Sequence, residues 1–225
     1  MGTTSRRSFL SSAALLVAAN PSPATKPEPA EVNATEDLMR EHGVIRRTLL
    51  VYEELARRLR AATESAPREV LGQAARLMAR FGEGYHEKLE ETEVFPRLVQ
   101  VGQQKPLVEV LLAQHEAGRA FTRVFIAASS EGDALGQPAQ RTRVAQQLQQ
   151  FSRMYQAHAA REDTVLFPAF RALFSERAFT ALGERFEEQE TRLLGDHGFE
   201  KALEEVGQLE RALGIDDLAK YTVRP

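Results

Sequence analysis

The chain has 225 residues, 43% hydrophobic and 27% charged, with a net charge of −3, no cysteine, no tryptophan and five histidines. That length suits one sizeable domain, and the faintly acidic balance argues against a nucleic-acid binder, which carries a basic face. Without cysteine there is no disulfide framework, thiolate zinc site, iron–sulfur ligation or thiol nucleophile, so any transition metal must be held by nitrogen and oxygen donors.

Residues 1–30 read as a leader and linker. Ser5-Arg6-Arg7-Ser8-Phe9-Leu10 precedes an apolar run from Ala13 to Ala19, and Pro21, Pro23, Pro27 and Pro29 follow. A basic start, a short apolar stretch and small residues in that order are the parts of a secretory signal. The 11 residues from Phe9 to Ala19 are too few to span about 30 Å of hydrocarbon as a helix, so stable membrane insertion is not expected. The arginine pair followed by Phe-Leu resembles a twin-arginine (Tat) export signal, with cleavage expected between Ala18 and Ala24. That resemblance implies a bacterial chain handed to the Tat machinery, exported to the periplasm, and folded with any cofactor before export.

From Thr35 onward apolar residues recur every three or four positions, the period of amphipathic helices. Leu38, His42, Ile45, Leu49, Tyr52, Ala56 and Leu59 form the first face. Ser65 and Pro67 open a second segment reaching about Leu98, which carries Ala75, Ala79 and Gly82 down to His86. Gly102 and Pro106 bracket a break, and Val108, Leu111, His115, Gly118, Thr122 and Phe125 make the third face. After a connector from Ser129 to Pro138, Val144, Leu148, Phe151, Tyr155, His158, Glu162, Val165 and Ala169 make the fourth. No run reads as a strand series. The expected fold is all-α: an up-down-up-down four-helix bundle over 35–174, with an extension over 175–225 of one or two further helices ending at Gly214 and a short tail.

Titratable residues interrupt all four apolar faces, and their order is duplicated. Residues His86 to Pro96 and His158 to Pro168 both read His-x-x-x-Glu-acid-Thr-x-apolar-Phe-Pro, 72 residues apart. Upstream, His42 and His115 lie 73 residues apart, followed at the same distance by Arg46 and Arg119. The body is therefore two helical hairpins, each supplying one lone histidine and one His-x-x-x-Glu pair. Residues four apart on a helix have Cβ atoms about 5–6 Å apart, close enough to share an ion. One buried histidine is commonly a hydrogen-bonded core residue, and one His-x-x-x-Glu is commonly a surface pair. Four histidines at repeated positions together with Glu90 and Glu162 point jointly to metal. Six nitrogen and oxygen donors suit two iron ions bridged by carboxylates.

The order lone His, His-x-x-x-Glu, lone His, His-x-x-x-Glu with trailing Phe-Pro, over about Thr35 to Phe174, resembles the hemerythrin-like (HHE cation-binding) domains. The resemblance implies a non-haem di-iron centre inside the bundle, able to interact with dioxygen. By matching position, it makes His42, His86, His115 and His158 ligands and Glu90 and Glu162 bridges. Glu87 is a further candidate, since some relatives use an acid directly after the second-helix histidine. Its repeat mate is Ala159, and the alternative is an exposed glutamate beside Lys88. Oxygen-carrying hemerythrins have a second histidine four residues after the first on helix three; here Arg119 stands there, which puts reversible oxygen carriage in doubt. Phe151 and Tyr155 are candidates for the wall of a small-ligand pocket, with Tyr155 either donating to a bound species or simply packing. His197 lies outside the repeat and reads as a cap or surface residue.

The leading expectation is thus a di-iron protein that binds or senses dioxygen, nitric oxide or peroxide. Two alternatives stay open: an oxidoreductase of peroxidase or ferroxidase type at the same centre, and a metal-storage or scavenging protein. Whether the chain is an enzyme is not decided by its sequence.

Overall fold

A computed structural model describes residues 32–61, 67–130 and 134–223. The leader expected over 1–30, with its arginine pair and cleavage site, lies outside the described residues. Among the described residues all regular structure is helical. Helix α1 spans Ala34–Ala61. Helix α2 is continuous over 68–100, α3 spans Lys105–Ser130 and α4 is continuous over 138–171. Helices α5, Glu176–Leu194, and α6, Gly198–Leu213, form the C-terminal extension.

Local chemistry marks the helix ends. The Asn33 side chain accepts from the Glu36 N–H at 3.0 Å and caps α1. Ser175 caps α5 by accepting from the Ala178 N–H. Gly214, at φ 67°, takes the left-handed conformation that closes α6 where the sequence placed its end.

The first four helices form the expected up-down-up-down bundle. Pairs such as Arg60 with Gln149 and His42 with Asp163 show α1 and α4 running antiparallel. Glu91 with His115 and Glu87 with Arg119 show the same for α2 and α3. The apolar faces meet in one core, whose largest fully buried side chains include Tyr52, Phe81, Phe125, Phe151, Phe167 and Phe170. Tyr52, Phe125 and Phe151 pack edge to face with centroids 5.3–5.9 Å apart. The extension joins this core through Phe179, Leu182, Phe186, Ala202, Val206, Leu209 and Leu213, packing on α1 and α2. Polar clamps fix it: Arg47 grips Glu210 with both ends of its guanidinium, Arg58 donates to the Leu213 carbonyl, and the Arg40 guanidinium lies 4.6 Å from the Phe199 ring centre.

One departure from regular helices bears on function. Helices α2 and α4 widen to π turns at Met78–His86, Glu90–Val94 and Glu162–Leu166. The Phe95 N–H bonds the Glu90 carbonyl, and the Phe167 N–H bonds the Glu162 carbonyl. Pro96 and Pro168 follow directly; each lacks an N–H, and its ring would press on the carbonyl four residues back. Widening the preceding turn relieves that clash. Both Glu90 and Glu162 therefore open a π turn, a feature common at functional sites.

Candidate metal centre

The duplicated motifs converge at one level of the bundle. His42 comes from α1, His86 and Glu90 from α2, His115 from α3, and His158 and Glu162 from α4. None is more than 4% exposed. Their donor atoms fall into two groups, His42–His86–Glu90–Glu162 and His115–His158–Glu90–Glu162, each with all its atoms within 4.8 Å of one another. Both glutamates belong to both groups, so each carboxylate stands between the two pairs of imidazoles. Glu162 lies 3.3 Å from His42 Nε2 and 3.1 Å from His158 Nε2. Glu90 lies 3.5 Å from both His86 Nε2 and His115 Nε2.

Every imidazole is held from behind by an oxygen of another helix. Nδ1 of His42 meets Asp163 at 2.6 Å, that of His86 meets Glu41 at 2.6 Å, that of His115 meets Glu91 at 3.0 Å, and that of His158 meets Gln114 at 2.9 Å. Each of these oxygens accepts from Nδ1, so Nδ1 carries a proton and Nε2 is the ring nitrogen turned inward, a lone pair wherever the ring is neutral. The Nε2 atoms of His115 and His158 face each other at 3.1 Å. Two lone pairs at that distance repel unless a positive charge lies between them.

The glutamates make the same case. All four carboxylate oxygens of Glu90 and Glu162 are buried without a hydrogen-bond partner among the described residues. Orphaned buried carboxylates are costly unless a cation meets them. Burial pushes the Glu90 carboxyl well up, and the neighbouring Glu162 charge pushes it further. Burial also opposes ionisation of Glu162, but His158 and His42 outweigh it and hold that carboxyl below the usual range. Burial depresses His86 and His115. Burial pulls His42 down, but the bond to Asp163 and the adjacent Glu162 charge outweigh it and raise it to about 9. The carboxyls and imidazoles of one cluster are thus pushed in opposite directions, as happens where ionisable groups crowd a buried site. Inward nitrogen lone pairs and orphaned oxygens fit metal ions in both groups.

The geometry explains the rest of the repeat, which the sequence displayed without assigning it a role. The acid after each glutamate serves the lone histidine of the other hairpin: Asp163 pairs His42 and Arg46, and Glu91 pairs His115 and Arg119. The following phenylalanine stacks on that same histidine, Phe167 on His42 at 5.5 Å and Phe95 on His115 at 5.6 Å. The residues just before the lone histidines, Glu41 and Gln114, support the histidine of their own hairpin's pair. Their signal was the 73-residue offset that they share with His42 and His115.

The remaining sequence candidates take distinct places. Glu87 is buried rather than exposed beside Lys88. It stands outside both four-residue groups and shares a third with Glu91 and His115. The Tyr155 hydroxyl donates to its Oε1, and Arg119 Nη2 lies 2.9 Å from its Oε2. Burial lifts its carboxyl to about 8 against both partners. Phe151 is fully buried and stacks on Tyr155 at 4.4 Å, which in turn sits 5.3 Å from His158. His197 precedes α6 with an exposed side chain and belongs to no metal-capable group among the described residues.

The described residues contain no helix long and apolar enough to cross a membrane. The chain is 44% identical over 201 residues to Uncharacterized protein Rv1995 of Mycobacterium tuberculosis (strain ATCC 25618 / H37Rv), covering 89% of this chain and 78% of the relative. It is similar to the same extent to Uncharacterized protein Mb2018 of Mycobacterium bovis (strain ATCC BAA-935 / AF2122/97). Neither relative's name assigns a function. No solved structure matches. The sequence model of the hemerythrin HHE cation-binding domain matches residues 33–170, the stretch that holds all six inward-facing donors, and the chain belongs to that family.

Proposed function

We propose that this protein holds two iron ions, one under His42 and His86 and one under His115 and His158, with Glu90 and Glu162 shared between them. The observation that carries this reading is the pair of doubly orphaned carboxylates facing four inward Nε2 atoms. Iron in such a donor set moves between ferrous and ferric states and takes up dioxygen, nitric oxide or peroxide. The chain's own residues do the rest. Asp163, Glu41, Glu91 and Gln114 fix ring orientation and tautomer. Phe95, Phe167 and the Phe151–Tyr155 stack exclude water. Arg119, standing where carriers have histidine, binds Glu87 and Glu91 and offers no nitrogen lone pair. On this proposal the protein binds or senses dioxygen or a related small ligand, nitric oxide or peroxide.

Metal analysis of anaerobically purified chain tests it, with about two irons per chain expected from the two donor groups. Zinc alone, or no metal, overturns it. Glu162→Ala is expected to abolish retention, and unchanged iron would remove the shared-carboxylate assignment. A spectrum that cycles reversibly with oxygen supports binding, whereas steady peroxide turnover with an electron donor moves the assignment to an oxidoreductase.

We also propose that residues 1–30 direct Tat export to the periplasm, ahead of the bundle at 35–174 and the extension at 175–225. The support is the Arg6-Arg7 pair and the apolar run after it. Replacing both arginines by lysine is expected to keep the protein in the cytoplasm, and unchanged fractionation would refute export by this route.

A further inference from the structure

The contacts that support the four imidazoles from behind match between the two halves except in one. Asp163 with Arg46 behind His42 is mirrored by Glu91 with Arg119 behind His115. Behind the other two histidines the match fails: His86 leans on the carboxylate of Glu41, and His158 leans on the neutral amide of Gln114. A carboxylate that accepts the Nδ1 proton makes the imidazole a stronger donor at Nε2 and adds negative charge near the ion; an amide oxygen does less of both. Glu41 is fully buried, which opposes its charge and lifts its carboxyl to about 7, while the Tyr85 hydroxyl, donating to it at 2.7 Å, and the neighbouring His42 favour the carboxylate. Glu87 lies on the other side, but it supports no imidazole there: its Oε1 accepts from Tyr155 and its charge faces Arg119, 2.9 Å from Oε2.

Resting on the di-iron reading above, we propose that the two positions are unequal: the one under His42 and His86 fills first and tightly. The one under His115 and His158 fills last and weakly, and Gln114 is the positioning residue that sets the difference. Exchange of the ion, and any change in occupancy with supply, then occurs at the position beside Tyr155 while the other stays filled.

The test is an anaerobic titration of metal-free full-length chain with ferrous ion against a competing chelator. Two binding steps separated on the order of 10–100-fold are expected, the range in which such supporting contacts act. Gln114→Glu is expected to tighten the weak step about tenfold and leave the tight step unchanged. Glu41→Gln is expected to weaken the tight step until the two merge, and His158→Gln to remove the weak step alone. Far-ultraviolet circular dichroism and thermal melting check that each variant is folded. If Glu41→Gln does not fold, Gln114→Glu decides. Equal steps in the parent chain, or an unchanged gap in Gln114→Glu, overturn this inference and leave the di-iron reading standing. No binding of ferrous ion at all overturns both.

Discussion

Gly118 on α3 makes room for Tyr155 on α4. A Cβ at position 118 would lie 2.8 Å from Tyr155 Cε2 and closer still to the hydroxyl. The small residue lets the phenol reach across and donate to Glu87. Gly118→Ala would add helix propensity worth about 0.5–1 kcal/mol. The clash with a buried ring held by the Phe151 stack outweighs it, since overpacking costs about 1–3 kcal/mol. The expected net result is destabilisation, with a changed tyrosine absorption signature in the metal-free chain. A variant more stable than the parent would show that Tyr155 moves aside freely.

Arg119 carries the balancing charge for a buried acid, Glu87, and a part-buried one, Glu91. Its Nη2 serves both Glu91 and Glu87, and Nη1 reaches Glu116 at 2.9 Å. Arg119→Gln leaves Glu87 and Glu91 facing each other without a cation, at an expected cost of about 1–3 kcal/mol in the metal-free chain, with the guanidinium's partial exposure keeping the figure low. Glu87→Gln in that background removes a carboxyl that burial already lifts to about 8 and that has lost its cation. The double variant is therefore expected to recover at least about 0.5 kcal/mol relative to the sum of the single effects. Urea melts of all four chains measure the coupling, and strict additivity would show that the pair does not interact.

The helices and the six inward donors were legible because both rest on periodicity. Apolar spacing located the four bundle helices, and the 72- and 73-residue offsets located the ligand candidates. Two things were not legible. An ideal helix places His86 and Glu90 on one face, but nothing in i, i+4 spacing announces that Glu90 begins a π turn; Pro96 was the signal, read only as part of a motif. The crossing of Asp163 to His42 and of Glu91 to His115 depends on which hairpin faces which, a tertiary fact. The arginines and acids stood in the repeat, yet their pairing needed the packed bundle. Gln114 against Glu41 is visible in the sequence only once that pairing is known.

The extension shares the bundle's core rather than hanging from it. Phe186 on α5 is 1% exposed and belongs to the same continuous apolar cluster as Leu38 and Phe81. Truncating such a ring removes its transfer energy and leaves a cavity, so Phe186→Ala is expected to cost about 3–5 kcal/mol. Because the core is continuous, urea unfolding is expected to stay a single transition moved to lower denaturant. A second transition affecting only part of the helical signal would show that 175–225 folds separately.

Asp37 sets a pH dependence away from the metal ligands. It lies in the first turn of α1 with Glu41 on its own helix and Glu187 and Glu190 approaching from α5, and its one close cation among the described residues, Arg40, is 3.5 Å away. Burial first, and then the charges of Glu41 and Glu190, lift its carboxyl from 3.8 to about 7. The folded chain therefore holds a proton there that the unfolded chain has lost, and the sign follows from linkage: stability falls as pH rises from near 3.8 to near 7, then levels off. Asp37→Asn has no such proton to lose. Its stability relative to the parent is expected to be near zero at pH 4, to grow through pH 7 and to stay constant above it, on the order of a few kcal/mol at most. Comparing the two chains at each pH cancels the titrating groups that Asp37 does not touch and leaves it with its neighbours Glu41, Glu187 and Glu190. Paired thermal melts of metal-free protein at pH 4, 6 and 8 measure it, and a difference that does not change with pH would mean that Asp37 is ionised throughout, with Arg40 and water compensating its charge.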